Sequence, residues 1–221
     1  MTAKEAVWRH LLTHRRHRLR WTQQELARFL GLSASQVHAA LDVPRRAGAV
    51  AVGGRGLTLN DWKKLLVIWA VFRDWRRDVL WDASFAASAS EIEGEMVPEA
   101  VFSGPSALKF ARDIAPADYD RVIVYLPQAD LPRLQERLAP LEDRRGPTRL
   151  TVLSPDPRQP APLPLEQVYV DVWQLADWWA AEYLRYIMEA LEWEESTTTM
   201  PSPAAAGERS SNSAQSTASS S

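Results

Sequence analysis

The chain has 221 residues, of which 46% are apolar and 24% charged, with no cysteine and a net charge of −2. This composition allows two modest domains and excludes disulfides, thiolate zinc sites and a cysteine nucleophile; the histidines lack the spacing of metal ligands, so we expect no metal and no cofactor. No apolar run reaches the roughly 20 residues that span a bilayer, and the first residues lack a signal-peptide pattern, so we expect a cytoplasmic protein without a membrane segment.

The charged residues are divided unevenly along the chain. Residues 1–80 contain 15 lysines and arginines against 6 acidic residues, whereas residues 81–221 contain 11 against 22. Basic segments attract the phosphates of DNA, and acidic segments are repelled by them. The sequence therefore assigns DNA contact to the N-terminal half.

The first predicted element is an amphipathic helix over residues 3–19, whose apolar residues recur at helical spacing. The basic run at residues 14–18 gives this helix a cationic flank. We therefore predict that Arg15, Arg16 and Arg18 contact DNA.

Residues 22–59 have the pattern of a helix-turn-helix followed by a hairpin. Thr22 and Glu25 have the spacing of a capping box at the start of a helix. Gly31 supplies a left-handed turn, and Ser33 caps the next helix. The apolar positions predicted to face the core are Leu26, Phe29, Leu30, Leu32, Val37, Ala40 and Leu41.

The second helix of this motif is predicted to be a recognition helix that enters the major groove. Its outward positions are Ala34, Ser35, Gln36, His38, Ala39 and Asp42. Ser35, Gln36 and His38 are the candidates for contacts with base edges, and Ser33 at the helix start is a further DNA contact. Pro44 is expected to break this helix about one turn early.

Two short alternating strands around the Gly-rich tip at residues 53–56 predict a wing, which completes a winged helix-turn-helix over residues 1–60. Arg55 lies at the tip, and Arg45 and Arg46 lie at the corner before it. We predict that these three arginines contact phosphates or the minor groove. Winged helices also serve as protein-interaction modules, and this alternative stays open.

Residues 61–84 are predicted to form a long connecting helix, capped by Asn60 and helical to about residue 83. Its aromatic and aliphatic residues follow the helical period, among them Trp62, Leu65, Leu66, Trp69, Phe72, Val79 and Leu80. Such a face is typical of a core or of a dimer interface. We expect a homodimer through this helix.

Residues 85–195 predict a small α+β domain, so the fold class is α+β. The helices are expected at residues 104–112, capped by Ser103, at 131–141, opened by Pro132, and at 175–193. The strands are expected at residues 121–126, 149–153 and 167–172. Strands separated by helices predict a mixed sheet with helices packed on it.

A second hypothesis for this domain is enzymatic. Ser106 followed by Asp118 and Asp120 resembles the spacing of a minimal nucleotidyltransferase, and Asp171 on a later strand would be a third carboxylate for Mg²⁺ and a triphosphate. The alternative is that Asp118 and Asp120 are turn residues and that Asp171 is an exposed strand residue. We favour this alternative and predict no catalytic residue.

Residues 196–221 are rich in serine and poor in apolar side chains. Such a segment cannot bury enough surface to offset the entropy of ordering it. We therefore expect a disordered tail that begins at Ser196.

Four stretches together resemble a known family: the winged helix, VFSGPSALKF at residues 101–110, DRVIVYLP at residues 120–127 and EQVYVDVWQLADWWAAEYLRYIMEAL at residues 166–191. The chain resembles the AbiEi-type antitoxins of bacterial type IV toxin-antitoxin systems and related transcriptional regulators over about residues 1–193. This resemblance implies a DNA-binding repressor of its own operon, with a nucleotidyltransferase toxin as partner.

Overall fold

A computed structural model describes residues 1–54 and 56–199 of the chain. The N-terminal elements are α1 (Ala3–Thr13), β1 (Arg20–Trp21), α2 (Gln23–Leu30), α3 (Ala34–Arg46), β2 (Val50–Gly53) and β3 (Gly56–Leu59). The strands form an antiparallel sheet in the order β1-β3-β2. These elements form the predicted winged helix-turn-helix, with the hairpin β2–β3 as its wing.

The remaining elements form the α+β part of the fold. They are α4 (Trp62–Phe72), β4 (Val79–Phe85), α5 (Ala89–Gly94), β5 (Val101–Ser103), α6 (Gly104–Arg112), β6 (Arg121–Tyr125), α7 (Leu131–Leu138), β7 (Thr148–Leu153), α8 (Leu165–Trp173) and α9 (Ala180–Thr199). The strand order is β4-β7-β6-β5, with β6 and β7 parallel and the other pairs antiparallel. The predicted mixed sheet and α+β class are confirmed.

The helix-turn-helix is fixed by local hydrogen bonds that the sequence predicts. Thr22 and Glu25 form a capping box at the start of α2, and Ser33 and Gln36 form another at the start of α3. Gly31 ends α2 with φ of +63°, in the left-handed region that glycine occupies without strain. The turn between the two helices is therefore specified by neighbouring residues.

Pro44 does not end α3, contrary to the prediction, because the helix continues to Arg46. A proline in a helix leaves the carbonyl four residues earlier without its usual N–H donor. The carbonyl of Ala40 instead accepts a hydrogen bond of 2.8 Å from the indole Nε1 of the buried Trp8. Helix α1 thus supplies the donor that Pro44 lacks.

Two predicted helices are shorter than expected. The first ends at Thr13 rather than at residue 19, because Trp21 pairs with Leu57 in the wing sheet. The connecting helix ends at Phe72 rather than at residue 83, because the buried Arg73 turns the chain towards the sheet. Residues 79–85 then form the edge strand β4.

The predicted strand at residues 167–172 is instead part of α8, in which residues 165–172 are all buried. The polar residues Glu166, Gln167 and Asp171 of α8 are buried with its apolar residues, so the helix lacks the exposed polar face from which a helical period is recognised. Helix α9 begins at Ala180 rather than at residue 175 and runs to Thr199. It therefore includes the first residues of the predicted tail, and the rest of that tail lies outside the described residues.

One hydrophobic core joins the winged helix to α4, α8 and α9. Trp8, Trp69 and Trp179 belong to this core and are no more than 1% exposed. On the other face of the C-terminal sheet, Val122 and Val124 belong to a second core with α5 and α7. In the described ranges, no helix is long and apolar enough to cross a membrane.

Part of the positive charge of the N-terminal half is paired with carboxylates of the same chain. Basic residues of the N-terminal half form ion pairs with carboxylates of the C-terminal half: Arg9 with Asp156, Arg15 with Glu166 and Glu195, Arg16 with Glu194, Lys63 with Glu192 and Arg73 with Asp171. Some of the basic residues predicted to face DNA are therefore bound by carboxylates of the same chain. The candidates for phosphate contact are the basic residues outside these pairs.

The surroundings of His10 predict a pH dependence of the free energy of unfolding. Its ring stacks on His14 and packs on Phe29, which is 62% exposed instead of facing the core as predicted. Burial, and then the charges of His14, Arg18 and Arg9, lower the pKa of His10 from 6.5 to about 4. The unfolded chain binds the proton at higher pH than the folded chain, so stability is lost as pH falls from 6.5 through 4.

We therefore predict that His10→Gln loses less stability than the wild type between neutral pH and the folded pKa of His10. Urea unfolding of both proteins at a series of pH values measures this difference. The carboxylates titrate in both proteins, so their contribution cancels when the two free energies of unfolding are subtracted. Identical pH dependence of the two proteins would contradict the assignment to His10.

Candidate nucleic-acid interface

Helix α3 presents a polar face to solvent and an apolar face to the core. Val37, Ala40 and Leu41 are at most 2% exposed, as their spacing predicts. Ser33, Ser35, Gln36, His38 and Ala39 are exposed, and Asp42 is half-buried. The predicted base-reading residues therefore lie together on the outer side of the second helix of the motif.

The start of α3 is held by a compact set of hydrogen bonds. Gln36 N donates to Ser33 Oγ at 3.2 Å, and Ser33 N donates to Gln36 Oε1 at 2.8 Å. The hydroxyls of Ser33 and Ser35 lie 2.9 Å apart. Because the capping box uses the Gln36 oxygen, the Gln36 side-chain amide nitrogen remains the group that can donate to a base.

Arg45 and Arg46 lie at the end of α3 and share one carboxylate. Asp42 lies 2.8 Å from the Arg46 guanidinium and 3.7 Å from that of Arg45. The Arg46 side chain is 70% exposed and the Arg45 side chain is 48% exposed, so phosphates can reach both. Asp42 lowers the positive potential at this corner and competes with phosphates for the arginines.

The basic run after α1 forms the predicted cationic flank only in part. The Arg15 side chain is 0% exposed and binds Glu166 and Glu195, so it does not reach the surface. Arg16 is also engaged, by Glu194. The buried Arg15 is therefore not placed to contact DNA, whereas the Arg16 side chain is 27% exposed and its contact with DNA stays a prediction.

Arg18 is about half exposed, and its guanidinium lies 2.9 Å from Glu25. Hydrogen bonds from the Thr22 backbone, from Arg18 and from the Thr22 hydroxyl lower the pKa of Glu25 to about 2. Glu25 therefore stays ionised at neutral pH and caps α2. Of the predicted basic flank, Arg18 remains accessible beside the helix-turn-helix.

The wing lies beside the start of α2. Thr22, Gln23 and Gln24 line one shallow cavity with the wing residues Val52, Gly53, Gly54 and Gly56. Gly56 has φ of +112°, and a Cβ there would lie 2.3 Å from the Trp21 carbonyl oxygen, so only glycine fits where β1 meets β3. Arg55 lies outside the described residues.

Arg20 and Arg28 are exposed basic residues that sequence reasoning missed. Arg20 lies in β1 opposite Thr58, and Arg28 lies in the last turn of α2. Within residues 1–54 and 56–199, neither guanidinium forms an ion pair with a carboxylate. Their charge was visible in the sequence, but their freedom from carboxylates was not.

The predicted nucleotidyltransferase carboxylates do not come together. Asp171 is a fully buried residue of α8, and it accepts hydrogen bonds from Ser103 at 2.7 Å and Tyr125 at 2.9 Å. It is thus neither a strand residue nor exposed, and Ser103 binds it instead of capping α6. Asp120 accepts a hydrogen bond from Trp179. Among the described residues, no cluster of His, Asp or Glu side chains has the arrangement of a metal site.

The fold and its exposed α3 face define a winged helix-turn-helix domain of the DNA-binding class. Residues 5–68 match the family described as Crp-like helix-turn-helix domain. The match begins in α1, contains the whole helix-turn-helix and wing, and ends within α4. No match was found among curated proteins or among solved structures. The matched domain supports a DNA-binding regulator.

Proposed function

We propose that the protein is a transcriptional regulator that binds double-stranded DNA with α3 in the major groove. The observation that carries this proposal is the polar outer face of α3, held on an intact helix-turn-helix with the wing beside α2. In this arrangement Ser35, Gln36 and His38 face the bases, and Ser33 at the start of the helix faces the backbone. Short side chains at most of these positions favour modest sequence selectivity.

The phosphate contacts are assigned to four exposed arginines around this face and to Arg55, which follows β2 in the sequence and lies outside the described residues. Arg45 and Arg46 lie at one end of α3. Arg18 lies between α1 and β1, and Arg28 lies in the last turn of α2. Because phosphate contacts release counterions, these residues should supply most of the affinity and its salt dependence.

The proposal is tested on DNA from the region upstream of the protein's own gene. Replacing Arg45 and Arg46 together with glutamine should weaken binding by about tenfold or more and reduce the slope of log K against log salt by about two, one for each lost phosphate contact. Fluorescence anisotropy over a salt series measures both quantities. The double variant Arg144→Gln with Arg145→Gln is the matched control, since these arginines are also adjacent and exposed but lie between α7 and β7.

Asp42→Asn gives a change of the opposite sign. It removes the carboxylate that binds both corner arginines, and we expect tighter DNA binding than in the wild type. No binding of the wild type at low salt would refute the proposal. Equal binding by the Arg45, Arg46 variant and its control would refute the assignment of phosphate contacts to this corner, and wild-type protein that binds no DNA would favour a protein-interaction module.

We further propose, on the resemblance to AbiEi-type antitoxins, that the regulator is a cytoplasmic autorepressor with an antitoxin role. Its partners would be a second copy of the chain and a nucleotidyltransferase toxin. A reporter driven by the upstream region tests repression, and co-expression with an adjacent nucleotidyltransferase gene tests whether the chain relieves its toxicity. Unchanged toxicity would leave a solitary regulator.

A further inference from the structure

A cavity of about 710 Å³ lies between the winged helix and the C-terminal domain. Its walls come from the end of α1, from β5, from α6 and from the start of α8, together with the loop at residues 161–164. Small-molecule sites are commonly found at such domain junctions, in mostly apolar walls with a few convergent polar groups. This cavity has both kinds of wall.

The apolar wall carries two stacked phenylalanines. The rings of Phe102 and Phe110 lie 4.7 Å apart with an interplanar angle of 24°. Phe110 is 57% exposed, although it lies over an otherwise apolar wall that includes Leu163. An aromatic or aliphatic body that covered these rings would bury apolar surface that the protein leaves in water.

The polar end of the cavity already holds a carboxylate. Arg16, from the winged helix, and Arg112, from α6, each donate to a different oxygen of Glu194 in α9. The two arginine side chains are 27% and 34% exposed, so a solute can reach them. Two guanidinium groups that converge on one carboxylate provide strong and directional recognition of an anionic group.

The same walls touch the DNA-binding motif. Residues 162–164 also line a second cavity against α1 and Phe29. The Arg158 guanidinium, from the same loop, lies 2.8 Å from the place of a Cβ at Gly31, in the turn before α3. Arg16 and this loop therefore lie beside α1 and the turn before α3, and α1 packs on α3.

We propose that this cavity is an effector site for a small amphipathic carboxylate. The body of the ligand covers Phe102 and Phe110, and its carboxylate displaces Glu194 from Arg16 and Arg112. Displacement breaks a link between α9 and the winged helix and so changes the affinity for DNA. This last step rests on the proposed DNA-binding function, whereas ligand binding does not.

Calorimetric titration of the full chain tests the site, with phenylpropionate and octanoate as probes and phenylpropanol as the neutral twin. We expect both carboxylates to bind and the alcohol to bind about tenfold more weakly or not at all, since it cannot form charge-assisted hydrogen bonds. Arg112→Gln and Phe110→Ala should each weaken carboxylate binding by about tenfold. Glu194→Gln should strengthen it, because it removes the competing charge.

Arg185→Gln is the matched control, because Arg185 also pairs with glutamate side chains of α9 but does not line the cavity. Melting temperatures establish that the variants are folded. The proposal is overturned if neither carboxylate binds, if the alcohol binds equally well, or if a folded Arg112→Gln variant binds as the wild type does.

The coupling is tested by repeating the DNA titration at a saturating concentration of phenylpropionate. An altered DNA affinity, with a reciprocal change of carboxylate affinity in the presence of DNA, is the expected result. Carboxylate binding with unchanged DNA affinity would refute the coupling alone. Carboxylate binding by a protein that binds no DNA would refute the proposed function and leave the site in place.

Discussion

Replacement of Arg73 with methionine should lower the free energy of unfolding by about 3–5 kcal/mol, because it leaves buried carboxylates without their cation. Arg73 lies directly after α4, and its side chain is 2% exposed. It binds Glu5 of α1 at 3.2 Å and Asp78 at 2.6 Å, and its Nε lies 3.9 Å from Asp171. One cation thus joins the first helix, the entry to β4 and the buried α8.

Urea unfolding followed by tryptophan fluorescence measures this loss. Arg77→Met is the matched control, since Arg77 pairs with Asp74 at an exposed site and should contribute less than about 1 kcal/mol. A loss for Arg73→Met as small as that of the control would contradict the assigned role of this cation.

A second substitution separates the buried charge from the packing of the arginine. If uncompensated carboxylates cause the loss, then Asp171→Asn in the Arg73→Met background should recover part of it, because the amide keeps the shape without the charge. Asp171 also accepts hydrogen bonds from Ser103 and Tyr125, so Asp171→Asn alone should be destabilising. Opposite effects in the two backgrounds measure the coupling between Arg73 and Asp171.

The helix-turn-helix was predictable because its signals are local. The hydrogen bonds of Thr22 with Glu25 and of Ser33 with Gln36 join residues three positions apart, and Gly31 acts through its own backbone. Residues 5–68 accordingly match a helix-turn-helix family. The outer face of α3 follows from the same helical period.

The sequence predictions are wrong where contacts with residues distant in sequence determine the burial or the secondary structure. Arg15 looks like a solvent-exposed base in the sequence, but Glu166 and Glu195 enclose it. Helix α8 resembles a strand in the sequence because it is rich in Val and Tyr. Since the helix is buried, no exposed polar face reveals its helical period. The hypothesis that Asp171 is a metal ligand depended on placing it on a strand, but it is a buried residue of α8. Sequence periodicity does not show which carboxylate meets which arginine.

The sequence therefore predicted only some of the exposed residues of the candidate interface. Ser35, Gln36 and His38 lie on the exposed face that their spacing indicates. Arg20 and Arg28 were missed, because net charge does not distinguish arginines bound to carboxylates from those free of them. Under the proposed function, the phosphate contacts are expected at the ends of α2 and α3 rather than along the basic run after α1.

The second large effect is expected at Trp8, whose indole donates a hydrogen bond to the Ala40 carbonyl of α3. Trp8→Phe should destabilise the protein by about 2–4 kcal/mol, since it shrinks a buried side chain and leaves the Ala40 carbonyl without a donor. Pro44→Ala restores an N–H at the position from which a helix normally donates to Ala40. The cost of Trp8→Phe should therefore be about 1 kcal/mol smaller in the Pro44→Ala background.

Trp69 is the matched control for this cycle. It is equally buried, but its indole Nε1 has no hydrogen-bond partner among the described residues. Trp69→Phe should therefore show no coupling with Pro44→Ala, although it also shrinks a core side chain. Equal costs of Trp8→Phe in both backgrounds would show that Pro44 is tolerated without the indole. A positive coupling at Trp8 alone would show that the indole of α1 compensates for the N–H that Pro44 lacks.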